Sequence, residues 1–122
     1  MTKAAPHTYQ LLIHVRRPVR LTIGRLGRFV FPAGTYVYTG SARRNLEARI
    51  ARHRRREKTL RWHVDYLLAS PHVAVVDVRR SAHGECAWNQ AGGGTVVVPG
   101  FGASDCHEGC GSHLRYHGYP GG

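Results

Sequence analysis

The segment Tyr38-Thr39-Gly40-Ser41 closes a run of strand-forming residues, and a helical period opens four residues later with Asn45-Leu46 and continues through Arg49, Ile50 and His53. A strand that ends beside a helix start sets its last aromatic side chain near the first helical turns, and Arg49 and His53, four apart, project from one face. One neighbourhood then holds a phenol, a guanidinium and an imidazole. These groups suit phosphodiester hydrolysis, in which a base takes a proton from water and a cation stabilises the charge developing on the phosphoryl oxygens. Strand tyrosines are more often sheet packing, and helix arginines more often solvated. Here Arg49 shares the side of Leu46, Ile50 and His53 rather than the polar back, which favours a site.

Cationic residues surround that neighbourhood. Arg43 and Arg44 precede the helix, and Arg52, Arg54, Arg55, Arg56 and Lys58 lie on or just past it. Such a run is commonly a solvated face, but beside a phosphodiester site it is placed to track phosphates, each contact lowering log K by about 0.9 per decade of salt on duplex DNA. Arg16 and Arg17 are weaker candidates for the same duty. Cys106-x3-Cys110-x2-His113, with His107 and Cys86 nearby, offers the ligand types of a structural zinc site in a glycine-rich tail; reduced thiols are the plainer alternative. His63 and Asp65 interrupt the apolar block Trp62 to Leu68 and are expected to bond to neighbours, with Asp65 as a metal carboxylate the less favoured option. Gly92-Gly93-Gly94 lacks the following Lys-Ser or Lys-Thr of a phosphate loop and reads as a turn.

Taken in order, the blocks Gly34-Thr35-Tyr36-Val37-Tyr38-Thr39-Gly40-Ser41-Ala42, then Asn45-Leu46 with Arg49-Ile50 and His53, then Trp62-His63-Val64-Asp65-Tyr66-Leu67-Leu68, and last Phe101-Gly102-Ala103-Ser104-Asp105-Cys106 with Ser112-His113-Leu114, resemble the small Uri-type branch of the GIY-YIG endonuclease superfamily. The resemblance covers nearly all of Tyr9 to Tyr116. It implies an α+β nuclease module, a central antiparallel sheet flanked by helices, that cuts nucleic acid with one divalent cation, Mg²⁺ or Mn²⁺. Carried over, Tyr38 is the general base or water-orienting phenol, Arg49 the phosphate-stabilising cation and Glu85 the metal carboxylate. His53 assists the phenol or the leaving group, and Tyr9 matches the first motif's tyrosine, a place for which Tyr36 competes. His7-Thr8 stand before Tyr9 where the family has Gly and Ile, and the long interval to Tyr38 has to be filled by inserted strands between Leu21 and Phe31.

Several elements must position these groups. Tyr9 to Val15 and Thr35 to Thr39 read as strands, and Arg20 to Ile23 with Arg28 to Phe31 as a hairpin about a Gly24 to Gly27 turn. A helix is expected over Asn45 to Glu57, with Asn45 as its N-cap and Glu47 in its first turn. Leu60 to Ala69 is a short helix or a strand; Val73 to Val78 is a buried strand; Gly84 to Gln90 is a short helix. From Gly100 the tail reads as loop. One domain spans 8–117 between tails 1–7 and 118–122.

Composition narrows the class. The chain has 122 residues, 42% of them hydrophobic and 20% charged, enough for one modest core. Eighteen Lys and Arg against seven Asp and Glu give a formal charge of +11. Such a field draws polyanions, and the predominance of Arg favours bidentate phosphate contacts. Absence of an apolar run near 18 residues argues against a membrane helix, and an odd number of cysteines, three, argues against a disulfide framework, so a cytoplasmic address is expected. The expected function is a metal-dependent endonuclease acting on DNA sooner than RNA. The alternative is a non-catalytic nucleic-acid-binding module on the same scaffold, with zinc as a stabilising ion.

Overall fold

Strand β1 (Thr8–Val15) is paired on both sides, with β4 (Gly34–Ser41) and β5 (Val73–Ser81), and so becomes the centre of a four-stranded antiparallel sheet of order β5-β1-β4-β6, where β6 is Leu114–Tyr116. The computed structural model describes residues 6–42, 44–55, 60, 62–82, 84–102 and 111–118. Register sorts the side chains into two faces. Tyr9 stands opposite Gly40, Leu11 opposite Tyr38 and Ile13 opposite Tyr36 on one face, while Gln10 with Thr39 and Leu12 with Val37 occupy the other. The first face carries the core, where Tyr9, Leu11, Ile13, Tyr36, Ile50, Val64, Leu67 and Phe101 are buried.

Strands β2 (Val19–Ile23) and β3 (Gly27–Phe31) fill the long interval between β1 and β4, joined by a 3₁₀ turn at Gly24–Leu26. The expected inserted strands are there, but they form their own two-stranded sheet. Val19, Ile23 and Phe31 face inward, leaving Arg20, Thr22, Arg28 and Val30 in solvent. Helices α1 (Leu46–Arg54), α2 (His63–Leu68) and α3 (Glu85–Ala91) complete the chain. Among the described residues no helix is long and apolar enough to cross a membrane.

Four expectations need correction. Helix α1 stops at Arg54, with Arg55 extended (φ −75°, ψ 136°), because the arginines past His53 bring no apolar side chain to bury. Asn45 does precede the helix, but in the left-handed region (φ 56°) with no side-chain cap bond. Strand β5 is an edge rather than a buried strand: Val73 is covered, yet Val76 is 59% exposed, since among the described residues only β1 pairs with it. The tail is not all loop: Leu114–Tyr116 adds the fourth strand against β4. The open choice at Leu60 to Ala69 resolves as helix α2, whose N-cap amide at Trp62 donates to the Asp65 carboxylate.

Candidate active site

The site starts from a glycine. Tyr9 lies across from Gly40, and a Cβ on Gly40 would stand 2.6 Å from the Tyr9 hydroxyl, so the phenol occupies space only glycine leaves open. Its hydroxyl is 2.7 Å from His53 Nε2, and His53 sits at the last turn of α1 with 2% of its surface exposed. One turn earlier on the same helix, Arg49 donates to the Ser41 carbonyl at 3.1 Å, tying the helix start to the end of β4. The i, i+4 geometry expected for Arg49 and His53 is thus realised, with different fates: Arg49 opens to a cleft, and His53 lies behind Tyr9.

Arg49 is also held from the side. Its guanidinium lies 4.5 Å from the centre of the Trp62 ring, and that of Arg52 lies 4.3 Å from the same ring. Arg52 in turn makes a bidentate pair with Asp65, at 2.9 and 3.0 Å. Asp65 is fully buried, so this pair is an internal anchor. Arg52 was expected among the phosphate-tracking cations; the structure corrects this, since its fork is committed to Asp65. Asp65 is correspondingly unsuited to a metal, its oxygens being occupied by Arg52 and the Trp62 amide.

Glu85, the first residue of α3, brings a carboxylate to the same place, with its side chain 31% exposed and 3.6 Å from His113 Nδ1. The result is a cleft of about 220 Å³ lined by Tyr9, Tyr38, Arg49, Trp62, Glu85 and His113, with Gly40, Ser41 and Gly102 as backbone walls. Gly102 has φ +65° and a Cβ there would press on Tyr38 at 2.9 Å, while its amide donates to His63 Nδ1. Tyr36 is excluded: its hydroxyl donates to the Pro32 carbonyl at 2.6 Å, and it does not line the cleft. The competition for the first tyrosine position therefore falls to Tyr9.

Burial controls the phenols. Desolvation pushes Tyr9 up to about 12, opposed by the adjacent Arg49, which attracts and hydrogen-bonds the phenolate. Tyr38 is raised well above the ordinary tyrosine value, again mainly by burial, with Tyr9, Glu85 and Asp65 adding to the rise. Both shifts favour the neutral phenol. Burial lowers the value for His63.

Elsewhere the candidates disperse. Arg44, Arg54 and Arg55 are exposed, and Arg54 and Arg55 border a separate groove with His53, Leu68 and Val73. Arg43, Arg56 and Lys58 lie outside the described residues, as do Cys106 and Cys110. Their expected zinc partner His113 is buried, with Nε2 3.8 Å from the sulfur of Cys86. Among the described residues no group of three His, Cys, Asp or Glu is placed to hold a metal. Two lining residues, Trp62 and His113, were not expected at this cleft. Trp62 read as core because it falls in an apolar block; the signal that marks it is the pair of arginines at 49 and 52, one turn apart and able to stack on one ring.

A family model described as a domain of unknown function, DUF123, matches residues 8–120. The chain belongs to the DUF123 family. No curated protein and no solved structure matches it. The matched span takes in β1 through β6, so the β2–β3 sheet and both walls of the cleft lie within the DUF123 domain.

Proposed function

We propose that this DUF123 domain hydrolyses phosphodiester bonds in DNA at the Tyr9–Tyr38–Arg49–Glu85 cleft. The observation that carries the reading is the convergence of two phenols, one guanidinium and one carboxylate, from β1, β4, α1 and α3, on a single cleft. At about 220 Å³ it has room for one phosphodiester group and an attacking water.

The residues divide the work. Arg49, fixed by Ser41 and Trp62, meets a non-bridging phosphate oxygen and stabilises the pentavalent charge. Tyr38 orients the attacking water. Tyr9 hydrogen-bonds the same water, with His53 Nε2 behind it as the group to which its proton passes. His53 thus acts through Tyr9 and is a positioning residue. Glu85 is the one carboxylate lining the cleft among the described residues, and a single solvent-facing carboxylate suits a hard cation that keeps several waters and takes phosphate oxygens. Mg²⁺ or Mn²⁺ bound there would polarise phosphorus and neutralise the leaving alkoxide. Arg44, Arg54 and Arg55 extend the positive field along the strand's path, and DNA is favoured over RNA only by the endonuclease resemblance. A cytoplasmic setting fits this reading.

The second reading, binding without cutting, has one observation on its side: burial keeps both phenols protonated. Labelled DNA incubated with Mg²⁺, Mn²⁺ or chelator separates the two, with wild type beside Tyr38→Phe, Arg49→Ala and Glu85→Ala. Metal-dependent cleavage by wild type, lost in all three variants, supports hydrolysis. Equal residual cleavage in all four marks a contaminant, and retained binding with no cleavage establishes the alternative. Metal analysis of the reduced protein tests zinc: about one equivalent supports a structural site at Cys106, Cys110 and His113.

A further inference from the structure

The β2–β3 ribbon sorts its side chains by alternation as the main sheet does, but its outer face is cationic. Pairing sets Arg20 opposite Val30 and Thr22 opposite Arg28, and all four are exposed. Residues directly opposite bring their Cβ atoms to about 5 Å and diagonal ones to about 7–8 Å, so Thr22 and Arg28 stand side by side with Arg20 on the diagonal. Arg25 is exposed on the turn between the strands, and Arg17 on the approach to β2. The inner face fixes the platform: Val19, Ile23 and Phe31 are buried, and Leu21 and Phe29 pack against the core.

The segment brings no counter-charge of its own. Residues 16–31 hold five arginines, and the chain has no Asp or Glu before Glu47. Of the five, Arg16 is used within the fold, donating to the Pro71 carbonyl at 3.0 Å. Like charges set on one face of a two-stranded ribbon repel one another, and an anionic partner relieves that repulsion. The ribbon also adjoins the cleft. A Cβ on Gly100 would stand 3.2 Å from Leu26 Cδ1, so the turn rests on the loop whose Gly102 walls the cleft. The rings of Phe31 and Phe101 lie 6.3 Å apart and those of Phe101 and Tyr38 6.2 Å, so two ring contacts connect the ribbon's inner face to a phenol of the cleft.

We infer that the outer face of the β2–β3 ribbon docks on the sugar–phosphate backbone of duplex DNA, with Arg20, Thr22 and Arg28 as its phosphate contacts. Guanidiniums and hydroxyls are common donors to phosphate oxygens, and such contacts set the register of a protein on a duplex without reading its sequence. Five residues at about 3.4 Å each make the ribbon about 17 Å long, the rise of about five nucleotides of one strand at about 3.4 Å each. Its outward side chains, Arg20, Thr22, Arg28 and Val30, include no aromatic ring, Phe29 being packed against the core, so the face lacks the stacking platform that holds single strands. A duplex, with about one charge per 1.7 Å of axis, is the partner that rewards charge alone. This contact rests on the reading that the cleft takes DNA, and does not need hydrolysis there.

Fluorescence anisotropy of a labelled DNA duplex of about 20 base pairs, titrated with the full chain in chelator at several salt concentrations, tests it. Wild type should bind with log K falling linearly in log salt. Arg20→Ala/Arg28→Ala should weaken binding at least about tenfold near about 0.1 M salt and flatten that slope by about 1.8, two phosphate contacts at about 0.9 each. Arg20→Lys/Arg28→Lys keeps both charges and should keep the slope. Val30→Glu puts a carboxylate opposite Arg20 and should weaken binding, whereas Val76→Glu makes the same change at an exposed valine of β5 and should bind nearly as wild type. The single strand of the same sequence should lose less than the duplex. Duplex binding by Arg20→Ala/Arg28→Ala at the wild-type affinity and slope overturns the inference and leaves the reading of the cleft intact. Equal weakening by Val30→Glu and Val76→Glu overturns it too, by showing diffuse attraction, as does a loss confined to the single strand. Absence of duplex binding by wild type removes the reading of the cleft along with it.

Discussion

Two tyrosine pairs sit side by side on one face of the sheet and differ in what their hydroxyls meet. Tyr36 and Tyr116 pack with ring centres 4.8 Å apart, and each donates to a backbone carbonyl, Pro32 and Ala33, at 2.6 Å. Tyr9 and Tyr38, ring centres 6.3 Å apart, meet titratable groups instead: His53 at 2.7 Å from Tyr9, with Arg49 and Glu85 across the cleft. Tyr36 and Tyr38 are two residues apart on β4 and equally strand-like in sequence. A phenol capped by a main-chain carbonyl is a staple, whereas a phenol among an imidazole, a guanidinium and a carboxylate has somewhere to send a proton.

The largest expected effect breaks the contrast at its reactive end. Arg49→Ala should lower metal-dependent cleavage by about 10²–10³ in single-turnover rate, the cost of losing one preorganised charge donor, while the melting temperature changes little. Next, Asp65→Asn should destabilise the fold by about 3 kcal/mol in chemical denaturation, because Arg52 loses its partner against a buried carboxylate position. Cleavage should fall with it, since Arg52 braces the ring on which Arg49 rests. Gly40→Ala should cost about 1–3 kcal/mol and displace the Tyr9 phenol, with cleavage reduced more than stability alone explains. Smallest is Tyr36→Phe, which removes one hydrogen bond and should cost about 1 kcal/mol with cleavage unchanged.

Alkaline pH sharpens the same contrast. The fold raises Tyr9 from 10.0 to about 12, so it favours the neutral phenol; that stabilisation is complete below pH 10 and is lost as pH rises from 10 to 12, about 3 kcal/mol in all. Urea titrations should show stability falling across that window, less steeply in Tyr9→Phe. An unchanged slope in that variant would contradict the burial of Tyr9.

Much of this arrangement can be read from residue order. Period-two alternation marks β1, β4 and the β2–β3 hairpin, and the Leu46, Arg49, Ile50, His53 spacing marks α1. Strand β6 cannot be seen, because three residues in a glycine-rich tail carry no period and gain their strand state from pairing with β4. The edge position of β5 is hidden for a related reason: an apolar run records β propensity but not how many neighbours pair with it. Within the site, Tyr38, Arg49 and His53 follow from local spacing, while Tyr9 and Glu85 come from distant elements and enter only through the family resemblance. Arg52 looks like its neighbours in an arginine run; its partner Asp65 is 13 residues further on, across a helix boundary.

Nicking of supercoiled DNA by Tyr36→Phe and Tyr38→Phe, side by side with wild type in Mg²⁺, tests the central claim most directly. A wild-type rate in Tyr36→Phe with a loss of about 10²-fold or more in Tyr38→Phe, at equal melting temperature, is the expected result. Equal rates in the two variants would contradict it, leaving both phenols as packing.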